Sequence, residues 1–427
     1  MAKEFPMARP YLPRMTLGAM GLLVSALAAL SGCVDESLLP SNATGAVRYP
    51  IALQADPSGR YVYVAGANFD RKYRAGEVRV IDTATDVWLR ERQEIPSFCG
   101  ELALQSGGAG NVGAVRLFAT ARDDDSLTAL TVTGTATGVD LSCGKTTSAG
   151  RCASDYRAGA DEDKSVGDDP MGVDIAALDN EFLRVTTVGT LDGRVVVRQV
   201  PKAAGPLASK VLGTLDFGSG LHSVVTSPLT GMSYISDLQS SNLYTFTVEK
   251  TGVAGTDGQP TWQVVSTGSL TLPSNGNSDH GRGMALSTDR GRLYVAWRSP
   301  AALAILDIAP GPTGPRNQLL DLIGLGSRPS AVAVAPVGPG GRDWVFVSNF
   351  GDNRVWVVDP VLREVVDIIA LPSAPYAIAL ANVPGKGWKL YAGLFSAASV
   401  AIVPVGSQLA GHHGPVQTLT TEIEVAP

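Results

Sequence analysis

The stretch from Arg328 to Asp359, RPSAVAVAPVGPGGRDWVFVSNFGDNRVWVVD, decides the fold. It reads as a buried strand (AVAVAP), a Gly-rich turn, a second strand (WVFVSN), a tight polar turn (FGDN) and a third strand (RVWVVD). Branched and aromatic side chains suit a pleated, packed surface, and Gly, Asn and Asp accept the backbone of tight turns. Glu364 to Leu371 (EVVDIIAL) supplies a fourth strand before the pattern starts again.

It does start again. Ala374 to Val405 repeats the unit, as do Tyr49 to Leu89 and Gly281 to Ile308, and weaker copies begin at Glu101, Pro170 and His222. The first strands of these units start near residues 50, 101, 171, 222, 283, 330 and 376, and little chain remains unassigned. Four short antiparallel strands recurring at this period describe a propeller blade. A lone four-stranded sheet cannot cover both its faces, whereas seven arranged radially cover nearly all of them. The expectation is an all-β fold: one seven-bladed β-propeller over residues 46–427, with Val416 onward as the outer strand of blade seven. Closure then rests on blade one packing against blade seven.

Within the units a Gly-containing turn leads into a hydrophobic-aromatic-Val strand, then a turn, then a V-x-V-hydrophobic-D strand. GRYVYVAGAN with VRVID, GRLYVAW with LAILD, and WVFVSNFGDNRVWVVD are the clearest cases. These resemble the YVTN-type propeller repeats of bacterial surface and periplasmic proteins, strongly in blades one, five and six and in degenerate form in blades two to four. The resemblance implies a fold more than a function, because propellers host binders, enzymes and scaffolds alike.

The first 32 residues read differently. Lys3, Arg9 and Arg14 precede an uncharged apolar stretch from Thr16 to Leu30, which is the length of a secretory signal and short for a membrane span. The stretch ends in Leu30-Ser31-Gly32-Cys33, which resembles the bacterial lipobox. That resemblance implies that 1–32 is a signal peptide, that Cys33 is diacylated and that 33–45 is a tether. It also implies an exported protein held on the cell envelope by its lipid. Val34 follows the cysteine, with Asp35 one place later; in the proteins this resembles, that favours the outer over the inner membrane. Removing 1–32 takes away three basic residues and one acidic, moving the net charge from −6 to −8. An acidic surface argues against nucleic acid as the main partner.

Three cysteines remain, and an oxidising compartment admits one disulfide. Cys143 and Cys152, which bracket a short Gly/Ser/Thr loop, are the first candidate pair; Cys99 with either is the alternative. They lie in a long interval between blades two and three, about Gly134 to Asp169, that includes the acidic run AGADEDKSVGDD. The interval reads as a solvated, disulfide-pinned surface insertion, with a cap over a ligand site as the alternative.

Catalytic motifs are scarce. Gly144-Lys145-Thr146 is not a phosphate loop, because Val139 stands where a Walker motif needs its first glycine. G-x-S-x-G and H-E-x-x-H are both missing, and the adjacent His412 and His413 would point opposite ways on a strand. What converges is the entrance to the first strand of each unit, which in a propeller lies at the mouth of the central channel. Reading that position blade by blade gives Tyr49, Glu101, Asp169, His222, His280, Arg282, Arg328 and Tyr376, with Asp168 and Asp279 beside them. The arginines could hold an anion, and the histidines and carboxylates could hydrogen-bond or bind a metal. No cofactor is expected. Calcium is the one ion for which Glu101, Asp169 and Asn277 form part of a cage.

Two functions compete. The first is a non-catalytic binding or scaffold module for an envelope protein or small ligand. The second is a hydrolase like the 6-phosphogluconolactonase propellers, which are relatives of these repeats; His222 or His280 would act as base, with Arg282 and Arg328 stabilising an oxyanion. The tether and the missing motifs weigh toward binding.

Overall fold

A computed structural model describes residues 39–42, 47–108, 112–136, 138–144, 152–159, 166–254 and 260–420. The signal stretch and Cys33 lie outside the described residues. Seven four-stranded antiparallel sheets follow one another along the chain, each with its strands in sequential order. Their first strands are Pro50–Ala55, Cys99–Ser106, Pro170–Ala177, Leu221–Thr226, Gly281–Leu286, Pro329–Ala335 and Pro375–Val383. Each first strand packs against those of the two neighbouring sheets, and the ring closes between Pro50–Ala55 and Pro375–Val383. The molecule is a seven-bladed propeller, and every expected blade start falls within two residues of the observed one.

Burial explains why the strand runs do not alternate. Trp344–Asn349 and Tyr61–Gly66, second strands of blades six and one, are buried along their whole length, because both faces of each sheet are covered by neighbours. The outermost strand of blade three, Lys210–Asp216, is largely exposed and correspondingly mixed in sequence. Between the blades lie seven apolar clusters, one per seam. In the seam between blades five and six, Tyr294, Leu303 and Ile305 meet Val345, Val347 and Val358. Burying a side chain of this kind stabilises by about 1.5–3 kcal/mol.

Blade seven takes its outer strand, Gln417–Thr420, from the C-terminal segment, as the sequence predicts. The ring is therefore closed by side chains. Val47, Val62 and Val64 pack on Tyr391, Val400 and Ile402. Asp86 of blade one accepts from Lys389 Nζ (2.6 Å) and Tyr391 Oη (3.0 Å) of blade seven.

The interval between blades two and three differs from the expected loop. Val139–Ser142 is already the outer strand of blade two, pairing with Ser126–Gly134, and Arg157–Gly159 returns to the same strand further along. The outer strand is interrupted rather than followed by an insertion. Cys143 and Cys152 are bonded across the interruption, with Cα atoms 5.2 Å apart. Both sulfurs sit in the apolar seam between blades one and two. Asp124 binds Arg157, and the Asp155 carbonyl accepts from Leu207 N (2.6 Å), fixing this part against the outer rim and not over the channel. Residues 160–165 of the acidic run lie outside the described residues. Cys99 is free and buried.

Candidate functional site

One backbone hydrogen bond recurs in all seven blades and aligns them. The residue just after the second strand, or in blade five its last residue, donates its N–H to the carbonyl of the residue before the first strand. The pairs are Ala67–Tyr49, Arg122–Phe98, Thr190–Asp169, Leu238–Gly220, Arg298–His280, Phe350–Arg328 and Phe395–Ala374, at 2.7–3.1 Å. Every first strand then bulges within its first residues. A bulge re-aims side chains. Here it turns two residues per blade toward the axis.

The deeper of these positions holds Ala52, Glu101, Gly172, Ser223, Gly283, Ala331 and Ala377. The close approach of adjacent first strands accounts for the two glycines. A Cβ on Gly172 would lie 2.5 Å from the His222 carbonyl oxygen, and one on Gly283 would lie 2.9 Å from that of Ser330. Glu101 is the one large exception, and it projects into the channel. The position above holds Ile51, Gly100, Met171, His222, Arg282, Ser330 and Tyr376, which form the throat; Arg282 bonds to Asp279 and is not in the wall of the cavity that His222 and Tyr376 line. All seven first strands line one axial cavity of about 270 Å³, with Glu101, Asp174, His222, Ser223 and Tyr376 among its walls.

Above the throat the mouth has two unlike halves. On one side, guanidinium groups converge. Arg122 clamps Asp169 with two bonds of 2.7 and 2.8 Å. Asp279 receives Arg282 at 2.6 Å and Arg298 at 3.2 Å. Arg298 also donates to the Pro329 carbonyl and to Ser330 Oγ, both at 2.8 Å, which ties blade five to blade six. Burial alone would raise the Asp279 carboxyl, but the Arg282 and Arg298 charges outweigh it and hold the group below its usual range. Arg328 is exposed and lies over the Phe350 ring at 5.6 Å.

On the other side stands a continuous aromatic wall. Phe98, Phe69, Tyr49, Phe395, Tyr376 and Phe350 are linked ring to ring, with centroids 5.1–6.1 Å apart. All six are only partly buried. Aromatic residues of a core would be covered; these face the mouth.

Between the halves sits His222, 5% exposed, with neither ring nitrogen hydrogen-bonded. Burial, reinforced by the charges of Arg282, Arg298 and Arg122, holds its pKa well below the ordinary imidazole value, so the ring is neutral at pH 7. Arg282 Nε is likewise buried without a partner. Deeper down, burial pushes Glu101 up to about 8, against hydrogen bonds from Ser223 and from the Val173 backbone that favour the anion. Glu101 keeps some contact with the water-sized space of the channel while protein surrounds it. Burial raises Asp174 too, although Thr226 and Arg184 oppose the rise.

The residues expected from sequence thus fall at different levels. Tyr49, Asp169, His280 and Arg328 stand before the first strand, His222, Arg282 and Tyr376 form the throat, and Glu101 lies below it. His280 is buried against Trp297, with ring centroids 5.3 Å apart, and is not among the residues lining the cavity. The partial calcium cage does not assemble. Asp169 is bound by Arg122, Glu101 by Ser223, and Asn277 is exposed on a loop. Among the described residues no group of three His, Cys, Asp or Glu side chains could hold a metal ion. His413 pairs with Asp367 and His412 stands edge-on to Trp344, so those two have separate partners.

Sequence reading missed Arg122, Arg298, Phe350 and Phe395, along with Phe69 and Phe98. The signal existed: each of the first four stands at the end of a second strand or directly after it, as in FATAR, YVAWR, FVSNF and YAGLF. Aligning the units on their second strands as well as their first would have found them.

No protein-family model and no curated protein matches the chain. Solved structures do. Hydrazine synthase from Kuenenia stuttgartiensis is 13% identical, with 89% of this chain and 100% of that one aligned at a TM-score of 0.55. A putative 6-phosphogluconolactonase from Bacteroides uniformis is 13% identical over 75% and 85% of the two chains, at 0.52. Streptogramin B lyase is 12% identical over 84% and 94%, also at 0.52. The likeness is one of fold. Proteins as different as a synthase and a lyase align with this fold, so function has to be sought in the chemistry of the mouth itself.

Proposed function

We propose that the protein is a lipid-anchored, extracytoplasmic binding module that presents its channel mouth to a small ligand or an envelope protein. The observation that carries this reading is the pair of unmet polar groups in the throat, the His222 ring and Arg282 Nε. Buried polar atoms without partners cost about 1–3 kcal/mol each, and a bound group that pairs with them recovers that loss. The expected Cys33 lipid would hold the propeller at the membrane, the outer one in a cell with two.

Catalysis fits the same residues less well. A base whose pKa lies far below working pH accepts protons poorly, and that is the state of His222. Asp169 and Asp279 are engaged by arginines, and the buried Cys99 thiol is pushed up to about 12. One observation favours the lactonase-like alternative: a neutral imidazole beside Arg282 and Arg298 resembles a base facing an oxyanion site.

Affinity capture from solubilised envelope tests the reading, with the full-length protein beside an Arg282→Ala/Arg328→Ala variant. A stoichiometric partner or small molecule lost in the variant is the expected result. Recovery of the same partner by both forms would move the function off the mouth. Turnover of lactones by the wild type, abolished in His222→Gln, would favour the hydrolase.

A further inference from the structure

The two halves of the mouth are unlike in chemistry, and their junction suggests what would bridge them. Tyr376 belongs to both. Its ring packs on Phe395 at 5.8 Å, while the charges of Arg282, Arg298 and Arg122 act on its phenol. We propose that the mouth takes a small planar organic carboxylate, its head in the throat against Arg282 and His222 and its flat body against the rings of Tyr376 and Phe395. This rests on the mouth being the binding face and adds the class of ligand.

Four features support that assignment. Arg282 Nε and a fully unpartnered His222 lie within the throat, and an oxyanion accepts from both. Arg282 and Arg298 share the single carboxylate of Asp279, which leaves that cluster with an excess positive charge for an anion to meet. Glu101 does not compete for that charge, because burial keeps it largely protonated at neutral pH. The aromatic wall then supplies partly exposed rings beside the head, with Tyr376 and Phe395 inclined to one another by 37°. Rings of this kind gain most from stacking with another flat face.

The test is titration of the full-length protein, in detergent, with 2-naphthoate, followed by calorimetry. Saturable binding is expected. 2-Naphthamide keeps the ring and loses the charge; cyclohexanecarboxylate keeps the charge and loses the flat ring. Each should bind about tenfold more weakly. Arg282→Gln should weaken 2-naphthoate by about tenfold, and Phe395→Leu by a smaller factor. Circular dichroism checks that both variants fold; should Arg282→Gln fail, the exposed Arg328→Gln tests the basic half, with weakening again expected. No saturable binding of 2-naphthoate at millimolar concentration would overturn the proposal. So would equal affinity for 2-naphthamide, or tighter binding of naphthyl phosphate, which would call for a dianion. A captured partner that depends on Arg282, found alongside failure of 2-naphthoate, would leave the mouth as the binding face and remove only the ligand class.

Discussion

The seams between the blades and the mouth of the channel are built on the same seven backbones, yet their side chains follow opposite rules. At the seams, equivalent strands carry interchangeable residues: Val62 and Val64, Val345 and Val347, Leu293 and Val295, all fully buried. At the mouth, the same hydrogen bond and the same bulge recur in every blade, but the residue they present changes each time. The throat alone holds Ile51, Gly100, Met171, His222, Arg282, Ser330 and Tyr376. A repeat that keeps its backbone and varies its presented side chains separates the two tasks. The seams hold the ring together, and the mouth is free to differ.

That contrast can be broken by substitution, and the seams should give the largest effects. Phe346 is buried between blades six and seven, and Phe346→Ala should cost about 3–5 kcal/mol in urea unfolding. Opening the Cys143–Cys152 loop with serines at both positions should cost about 2–3 kcal/mol, because the bond closes a short loop in the unfolded chain. It should leave binding at the mouth unchanged, since the bond lies on the rim of blade two. Asp86→Ala removes the acceptor that Lys389 and Tyr391 share across the closing seam, and a loss of about 1–3 kcal/mol is expected.

Acidity sharpens the comparison at the channel itself. Glu101 and Glu77 have folded-state pKa values raised to about 8 and about 7. In the folded protein they keep protons that the unfolded chain has already released, so stability should fall as pH rises from about 4.5 to about 8. Glu101→Gln should flatten the upper part of that decline, measured as the urea midpoint at a series of pH values. An unchanged profile would mean that Glu101 ionises freely in the channel. The smallest effect belongs to the rim: Arg328→Ala should change stability by no more than about 0.5 kcal/mol, because the side chain is exposed. A large loss there would show that the mouth also holds the ring together.

The propeller was legible in the sequence because seam residues repeat. AVAVAP, WVFVSN and RVWVVD recur with the same turns, and seven copies leave little freedom of interpretation. The interrupted outer strand of blade two was not legible. Val139–Ser142 and Arg157–Gly159 are too short to read as strands, and what unites them is a disulfide across an excursion. The mouth was half legible. The entrance to each first strand could be read in sequence, which gave His222, Arg282 and Tyr376. The first strand of blade two starts at Cys99, two residues before its expected anchor, so Glu101 lies a level below the throat. Arg122, Arg298, Phe350 and Phe395 come to the mouth from a different strand end, which only the backbone hydrogen bond brings alongside.

The most direct measurement is a crystal structure of the protein isolated gently from its own envelope, so that whatever it carries is kept. The account predicts a ligand or a partner's side chain in the mouth, with an acidic group at Arg282 and His222 and contact with Tyr376 and Phe395. A ligand or partner seated on the outer strands or on the opposite face, with only water between Arg282 and Phe395, would contradict it.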